Sequence, residues 1–223
     1  MQKFDTPAPI TAVLDIPAGR IQFIAADRTD TTVEVLPSNA SKGRDVKAAE
    51  QATVEYRDGV LRIDAPAAKN QYFGPSGSVD VTVQLPAGSS VEAKPSCAEF
   101  RAVGRLGDIN CSGAHGAIKI DEAASVRLAA HVGGITVGRL TGPAEISTHQ
   151  GDIHIAEASS GTVVLSTQSG DLSVCAARGV SASLDAGTTH GRIHNALQNT
   201  DGAGAGLNIH ATTSYGDITA RSL

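Results

Sequence analysis

Apolar and polar residues alternate along most of the chain. Val79, Val81, Val83 and Leu85 lie two apart, and residues two apart share one face of an extended strand. The same period runs through Ala12-Val13-Leu14-Asp15-Ile16, Ile21-Gln22-Phe23-Ile24 and Thr31-Thr32-Val33-Glu34-Val35-Leu36. Pro17-Ala18-Gly19 and Pro86-Ala87-Gly88 separate strands as turns, because Pro fixes φ and Gly permits a positive φ. Asp58-Gly59 between Thr53–Tyr56 and Val60–Asp64 predicts a hairpin. Asp45–Gln51 predicts one short helix that Asp45 could cap. Tyr72 and Phe73, in a loop from residue 65 to 77, are expected to pack over one end of the sheet or to form an exposed contact.

From about residue 100 the alternation condenses into a repeat. Its clearest copy is Gly151-Asp152-Ile153-His154-Ile155. Units opening at Gly107, Gly116, Gly134, Gly170, Gly191 and Gly216 share the phase, and after the first pair their spacing is 17 to 25 residues. Weaker strands lie between them at Ser125–Leu128, Ala144–Ile146, Thr162–Leu165, Ala182–Leu184 and Leu207–Ile209. In each Gly unit the aliphatics point one way. The intervening Asn110, Lys119, Thr136, His154, Ser173, His194 and Thr219 point the other, giving a wet face. One short strand with one apolar face cannot stand alone, whereas stacked copies bury a continuous column. A sandwich or barrel also uses many short strands, but recurrence of one motif at one phase favours an all-β, single-stranded β-solenoid, parallel β-helix or roll-like. Residues 1–100 then supply an N-terminal β cap and first coils and residues 101–223 the repeats, within one continuous domain of 10–223. Glycines (Gly107, Gly151, Gly170, Gly216) with the following aspartates (Asp108, Asp152, Asp171, Asp217) are read as structural turns. Thr200 to Gly206 reads as a bulge from a corner.

Composition adjusts this picture in three ways. Of 223 residues none is Trp, and six of the seven Phe and Tyr precede position 101, which suits narrow stacked sheets. The net charge of -5, with scattered basic residues, argues against nucleic acid. Cys97, Cys111 and Cys175 form neither a disulfide framework nor a CxxC site; Cys97 and Cys111 could pair if adjacent coils met, and otherwise all three are buried thiols. No apolar h-region follows Met1–Pro7 and no window makes a membrane span, so the chain reads as cytoplasmic.

The segment Val81-Thr82-Val83-Gln84-Leu85-Pro86-Ala87-Gly88 is followed by units such as Ser147-Thr148-His149-Gln150-Gly151-Asp152-Ile153, Ser166-Thr167-Gln168-Ser169-Gly170-Asp171-Leu172 and Thr213-Ser214-Tyr215-Gly216-Asp217-Ile218. This pattern resembles the bacterial β-strand-repeat family labelled "putative adhesin", the toastrack-type domains, over most of residues 10–223. The resemblance implies a single-stranded β-solenoid, no known catalytic residues, and roles in surface adhesion or envelope-stress scaffolding. Many relatives carry a signal or membrane anchor, so a surface role rests on the resemblance alone.

Candidate chemistry is sparse. Asp108, Asp152, Asp171 and Asp217 share one phase and could stack into an acidic ladder for Ca²⁺, but Ala117, Gly134 and Arg192 interrupt it, and the structural turn is preferred. His154 and His194 are placed two coils apart with Ser173 between, too far for one metal; no metal and no cofactor is implied. His115 and His190 directly precede a unit Gly, as do Gln150, Ser169 and Tyr215, and His149 lies one step back. A corner groove lined by His149, Gln150, Ser169, His190 and Tyr215 is the candidate ligand surface. The absence of GxSxG, P-loop and GxGxxG motifs leaves no reaction to assign. The leading expectation is a non-catalytic structural or interaction module that binds protein or glycan on exposed β faces or self-associates. A homo-oligomer would form through the C-terminal coil, because an open solenoid end is an uncovered sheet edge. The alternatives are a small-molecule binder or enzyme using the His/Tyr corner, and a bactofilin-like filament former.

Overall fold

The structure is a computed structural model that describes residues 1–65 and 77–223, with the side chains of 95–97 and 203 outside the description. Two compact units divide the chain, Met1–Gly116 and Ala117–Leu223. The loop of Tyr72 and Phe73 lies outside the described residues.

In the first unit the strands are β1 (Gln2–Asp5), β2 (Thr11–Ala26), β3 (Asp30–Pro37), β4 (Thr53–Arg57), β5 (Val60–Asp64), β6 (Val79–Pro86) and β7 (Ser90–His115). The first half of β2 lies parallel between β5 and β7, and its second half lies parallel between β6 and β7. Chain order and stacking order therefore differ: β2 is interior although β5 and β6 follow it. Pro17-Ala18-Gly19 is not the strand-separating turn expected from the sequence but lies within β2. Across it the neighbour of β2 changes from β5 to β6, and a Cβ on Gly19 would meet the Val79 carbonyl oxygen at 1.8 Å. Antiparallel strands flank the stack: β4 on β5, β3 on β6, and β1 on β3. The predicted hairpin is present, with Asp58 at φ 52° and Gly59 at φ 78°, the doubly positive geometry of a type I′ turn. Phe4 and Tyr56 meet at 5.5 Å, and Phe23 and Phe100 at 5.8 Å.

The helix α1 (Gly43–Gln51) forms where expected, but Asp45 is not its cap. Lys42 holds the cap position, and the Asp45 side chain, 3% exposed, accepts the Ser78 N–H at 3.1 Å. A buried carboxylate needs a donor, and Ser78 supplies one.

The second unit contains β8 (Ile118–Val132), β9 (Ile135–Leu140), β10 (Ala144–Gln150), β11 (Ile153–Ala158), β12 (Gly161–Ser169), β13 (Leu172–Ala176), β14 (Ala182–His190), β15 (Ile193–Ala196), β16 (Leu207–Tyr215) and β17 (Ile218–Ser222). One face is the parallel series β8, β10, β12, β16, β14. The other is β8, β9, β11, β13, β17, β15. This is the expected solenoid, in which each coil contributes one strand to each face. The last coil in sequence, β16–β17, is nevertheless interior. It inserts between β12–β13 and β14–β15.

That order corrects two expectations. The outer edge of the stack is β14–β15, not the C-terminal coil. His154 and His194 are separated by both Ser173 and Thr219, not by Ser173 alone.

The column of aliphatics shows the insertion through burial. Ile135, Ile153, Leu172 and Ile218 are at most 2% exposed, whereas Ile193, at the equivalent position of β15, is 47% exposed. Each buried aliphatic contributes about 1.5–3 kcal/mol, so the interior coils carry the unit. The edge coil places polar Asn195 in the column position held elsewhere by Val137, Ile155, Val174 and Ala220.

Cys111 and Cys175 are buried free thiols, as the simple reading expected. The side chain of Cys97 lies outside the description.

Candidate functional site

The corner that follows β10, β12, β16 and β14 is built by three residue types acting in register. Glycine comes first. Gly151, Gly170 and Gly216 have φ of 142°, 153° and 149°, and a Cβ on Gly170 would lie 2.1 Å from the Gly151 carbonyl oxygen. The backbones touch here, so no other residue fits.

Aspartate is next. The Asp152 carboxylate accepts the Asp171 N–H at 2.8 Å, Asp171 accepts the Asp217 N–H at 2.7 Å, and Asp217 accepts the Arg192 N–H at 2.8 Å. Each carboxylate thus serves the next coil outward. Arg192, which interrupts the repeat in sequence, sits on the edge coil, where no further coil requires an acceptor. Its guanidinium lies 3.6 Å from Asp217 instead. Asp152, Asp171 and Asp217 therefore tie successive coils together at the corner, whereas Gly107 and Asp108, read from the sequence as a turn of the same kind, lie within the strand β7. Among the described residues no group of three or more His, Cys, Asp or Glu could hold a metal ion.

The third component was not anticipated. Thr167, Thr213 and Thr188 each stand three residues before a corner Gly, and their hydroxyls donate to the carbonyls of Gly151, Gly170 and Gly216 at 3.2, 3.1 and 3.1 Å. Thr167 and Thr213 are buried. Their signal was the Thr-x-x-Gly spacing within the repeats.

These ladders hold the candidate residues at the strand ends. Gln150 is paired with Ser169, Ser169 with Tyr215, and Tyr215 with His190. Four of the five candidates therefore form one lateral row across adjacent strands. His149 precedes Gln150, and its ring meets His131 edge-on at 5.2 Å. The Tyr215 and His190 rings stack at 4.7 Å with planes 6° apart. Tyr215 is 59% exposed and the other four are also exposed, so the arrangement is an open row. Val132, paired with Gln150, extends it as an exposed apolar residue. His115 lies in the first unit, at the end of β7.

Beyond the corner, the outer faces carry exposed ion pairs. Arg127 meets Glu145 at 3.1 Å, and Arg139 meets Glu157 at 3.4 Å. Such exposed pairs contribute about 0–1 kcal/mol. No helix among the described residues is long and apolar enough to cross a membrane.

Comparison with solved structures finds bacterial relatives at low identity. A structure from Parabacteroides distasonis named "putative adhesin" superposes with a TM-score of 0.51 at 16% identity, covering 100% of this chain and 95% of that one. A "putative cell adhesion protein" from Clostridium sporogenes gives 0.48 at 10% identity, covering 100% and 98%. A "putative lipid binding protein" from Parabacteroides distasonis gives 0.48 at 12%, covering 98% and 95%. At these identities the likeness concerns fold alone. Among curated proteins none matches the chain by sequence. The family model Toastrack DUF4097 matches residues 13–222, nearly the whole chain, and with the stacked strands and repeated Gly corners it establishes that the chain belongs to this family.

Proposed function

We propose that the chain is a non-catalytic interaction module of the adhesin type, and that the corner row of its second unit is the contact surface for a glycan. One observation carries the reading: Gln150, Ser169, Tyr215 and His190, scattered over the sequence, align in register with the Tyr215 ring 59% exposed and backed by His190. An exposed ring held flat by a neighbour is a stacking platform that costs little entropy to use. The amide and hydroxyl beside it recur at the strand spacing of about 4.8 Å, which suits an extended polymer bearing repeated hydroxyls. His149 and His131 flank the row. The adhesin names of the structural neighbours accord with such a role.

Binding of the full chain to an immobilised glycan panel tests the reading, with Tyr215→Ala and His190→Ala beside it. Capture of at least one glycan class, weakened in both variants, is expected. Because Tyr215 is exposed, its removal should leave stability within about 0.5 kcal/mol, so lost capture is separable from unfolding. Equal capture by the variants, or capture of proteins but no glycan, overturns the assignment.

A further inference from the structure

The coil β16–β17 fills a slot between β12–β13 and β14–β15, and both walls of that slot are built from earlier sequence. The two walls present the same register. Val163 and Leu184 both pair with Ile209, and Leu172 and Ile193 both pair with Ile218. The inserting strands arrive through residues 197–206, an exposed segment apart from Leu197, Ala205 and the undescribed side chain of residue 203, with glycines at 202, 204 and 206. Hydrogen bonds to Ser181, Ala182, Ser222 and Gly161 hold this segment and must be broken or remade on exchange, among them Gln198 N–H to Ser222 Oγ at 2.9 Å and Thr200 N–H to Ser181 Oγ at 3.1 Å.

We infer that β16–β17 is an exchangeable element, and that two copies of the chain form a dimer by each inserting this coil into the other's slot. Every pairing of the inserted coil is kept in the exchanged form, so only the connecting segment changes conformation. This is the condition under which swapping costs little. β14 and β15 join the stack through β16 and β17, so until that coil docks, the β12–β13 edge of one copy is open to the strands of another.

The exchange would remake the candidate site. Tyr215 lies on β16, whereas Gln150, Ser169 and His190 lie on β10, β12 and β14. In the dimer one copy supplies the Tyr215 ring that stacks on the other's His190. Each dimer then carries two composite rows, and paired rows bind a repetitive partner with avidity that one row lacks.

Ser166 and Thr212 are exposed register partners on β12 and β16, so the double variant Ser166→Cys/Thr212→Cys reports which chain fills the slot. Isotope-labelled and unlabelled chains are mixed, unfolded together and refolded across a range of concentrations. They are then oxidised, sized, and mapped for the link between the two introduced thiols. At high concentration a dimer is expected in which about half of the linked peptide pairs join a labelled to an unlabelled chain, the proportion for random exchange. At low concentration a monomer with the link inside one chain is expected. The unsubstituted chain, refolded in parallel and sized by light scattering, should show the same dependence on concentration. Monomers at every concentration, or dimers whose links never cross between chains, overturn the inference. The sizing is independent of glycan binding, so its failure would leave the proposed contact surface untouched.

Discussion

The Asp171 carboxylate accepts the backbone N–H of Asp217 at 2.7 Å across 46 residues of sequence. The two belong to units that the chain places two steps apart, with Gly191 between them, yet they are neighbours in the stack. This bond sits in the corner ladder that joins the inserted coil to its wall, and its removal should be felt there.

Asp171→Ala leaves the Asp217 N–H without its acceptor. A loss of about 1–3 kcal/mol is expected from unpairing a charge-assisted bond, read as a lower urea midpoint. Asp171→Asn keeps an acceptor oxygen and should lose less. Equal losses in the two variants would assign the effect to packing.

Gly170→Ala places a methyl 2.1 Å from the Gly151 carbonyl oxygen, at φ 153°. Backbone on both sides cannot retreat, so destabilisation of about 3 kcal/mol is expected. Gly187→Ala is the control. Nothing lies within 4 Å of its added methyl, and its urea midpoint should match that of the unsubstituted chain to within about 0.5 kcal/mol.

Arg28, whose Nε donates to Asp30 at 2.9 Å, and Lys3 at 3.1 Å lower the carboxyl of Asp30 from 3.8 to about 2. A depressed carboxyl contributes stability that is present above 3.8 and lost as pH falls through about 2. Stability should therefore decline across that window, and Asp30→Asn should flatten the decline. Acid titrations of the thermal midpoint, with and without the substitution, provide the comparison.

Burial pushes the Cys111 thiol up to about 12, with 1% of the residue exposed. At pH 8 it is neutral, and the thiolate is the nucleophile. Iodoacetamide should leave Cys111 unmodified in the native chain and label it once urea is added. Native labelling at that position, found by peptide mapping, would mean that the strand opens.

Much of the fold could be read before any coordinates. Period-two alternation marked the strands, Asp58-Gly59 marked the hairpin, and the recurring Gly-x-Ile-x-Ile unit marked the stacked column, because each is a local consequence of strand geometry. The candidate row was legible in part. Gln150, Ser169, His190 and Tyr215 were singled out for standing before a unit Gly, and that shared phase became a shared register. The threonine ladder was equally present in the repeats, but a hydroxyl that donates across coils resembles any polar strand residue until its acceptor is seen. Asp45 misled for a related reason: its donor, Ser78, lies 33 residues away.

The sequence by itself determined that this protein is a stack of short strands with glycine corners, since periodicity and backbone sterics are properties of each repeat alone. Only the tertiary structure decided the order of the coils. Adjacent repeats have nearly the same phase, so alternation cannot distinguish β14 from β16 as the neighbour of β12. The choice rests on differences that act across coils. Arg192 offers no carboxylate to a following coil, Asn195 is polar in an apolar column, and Asp217 and Ala220 suit the interior. Those residues place β14–β15 at the edge and bring Tyr215 against His190.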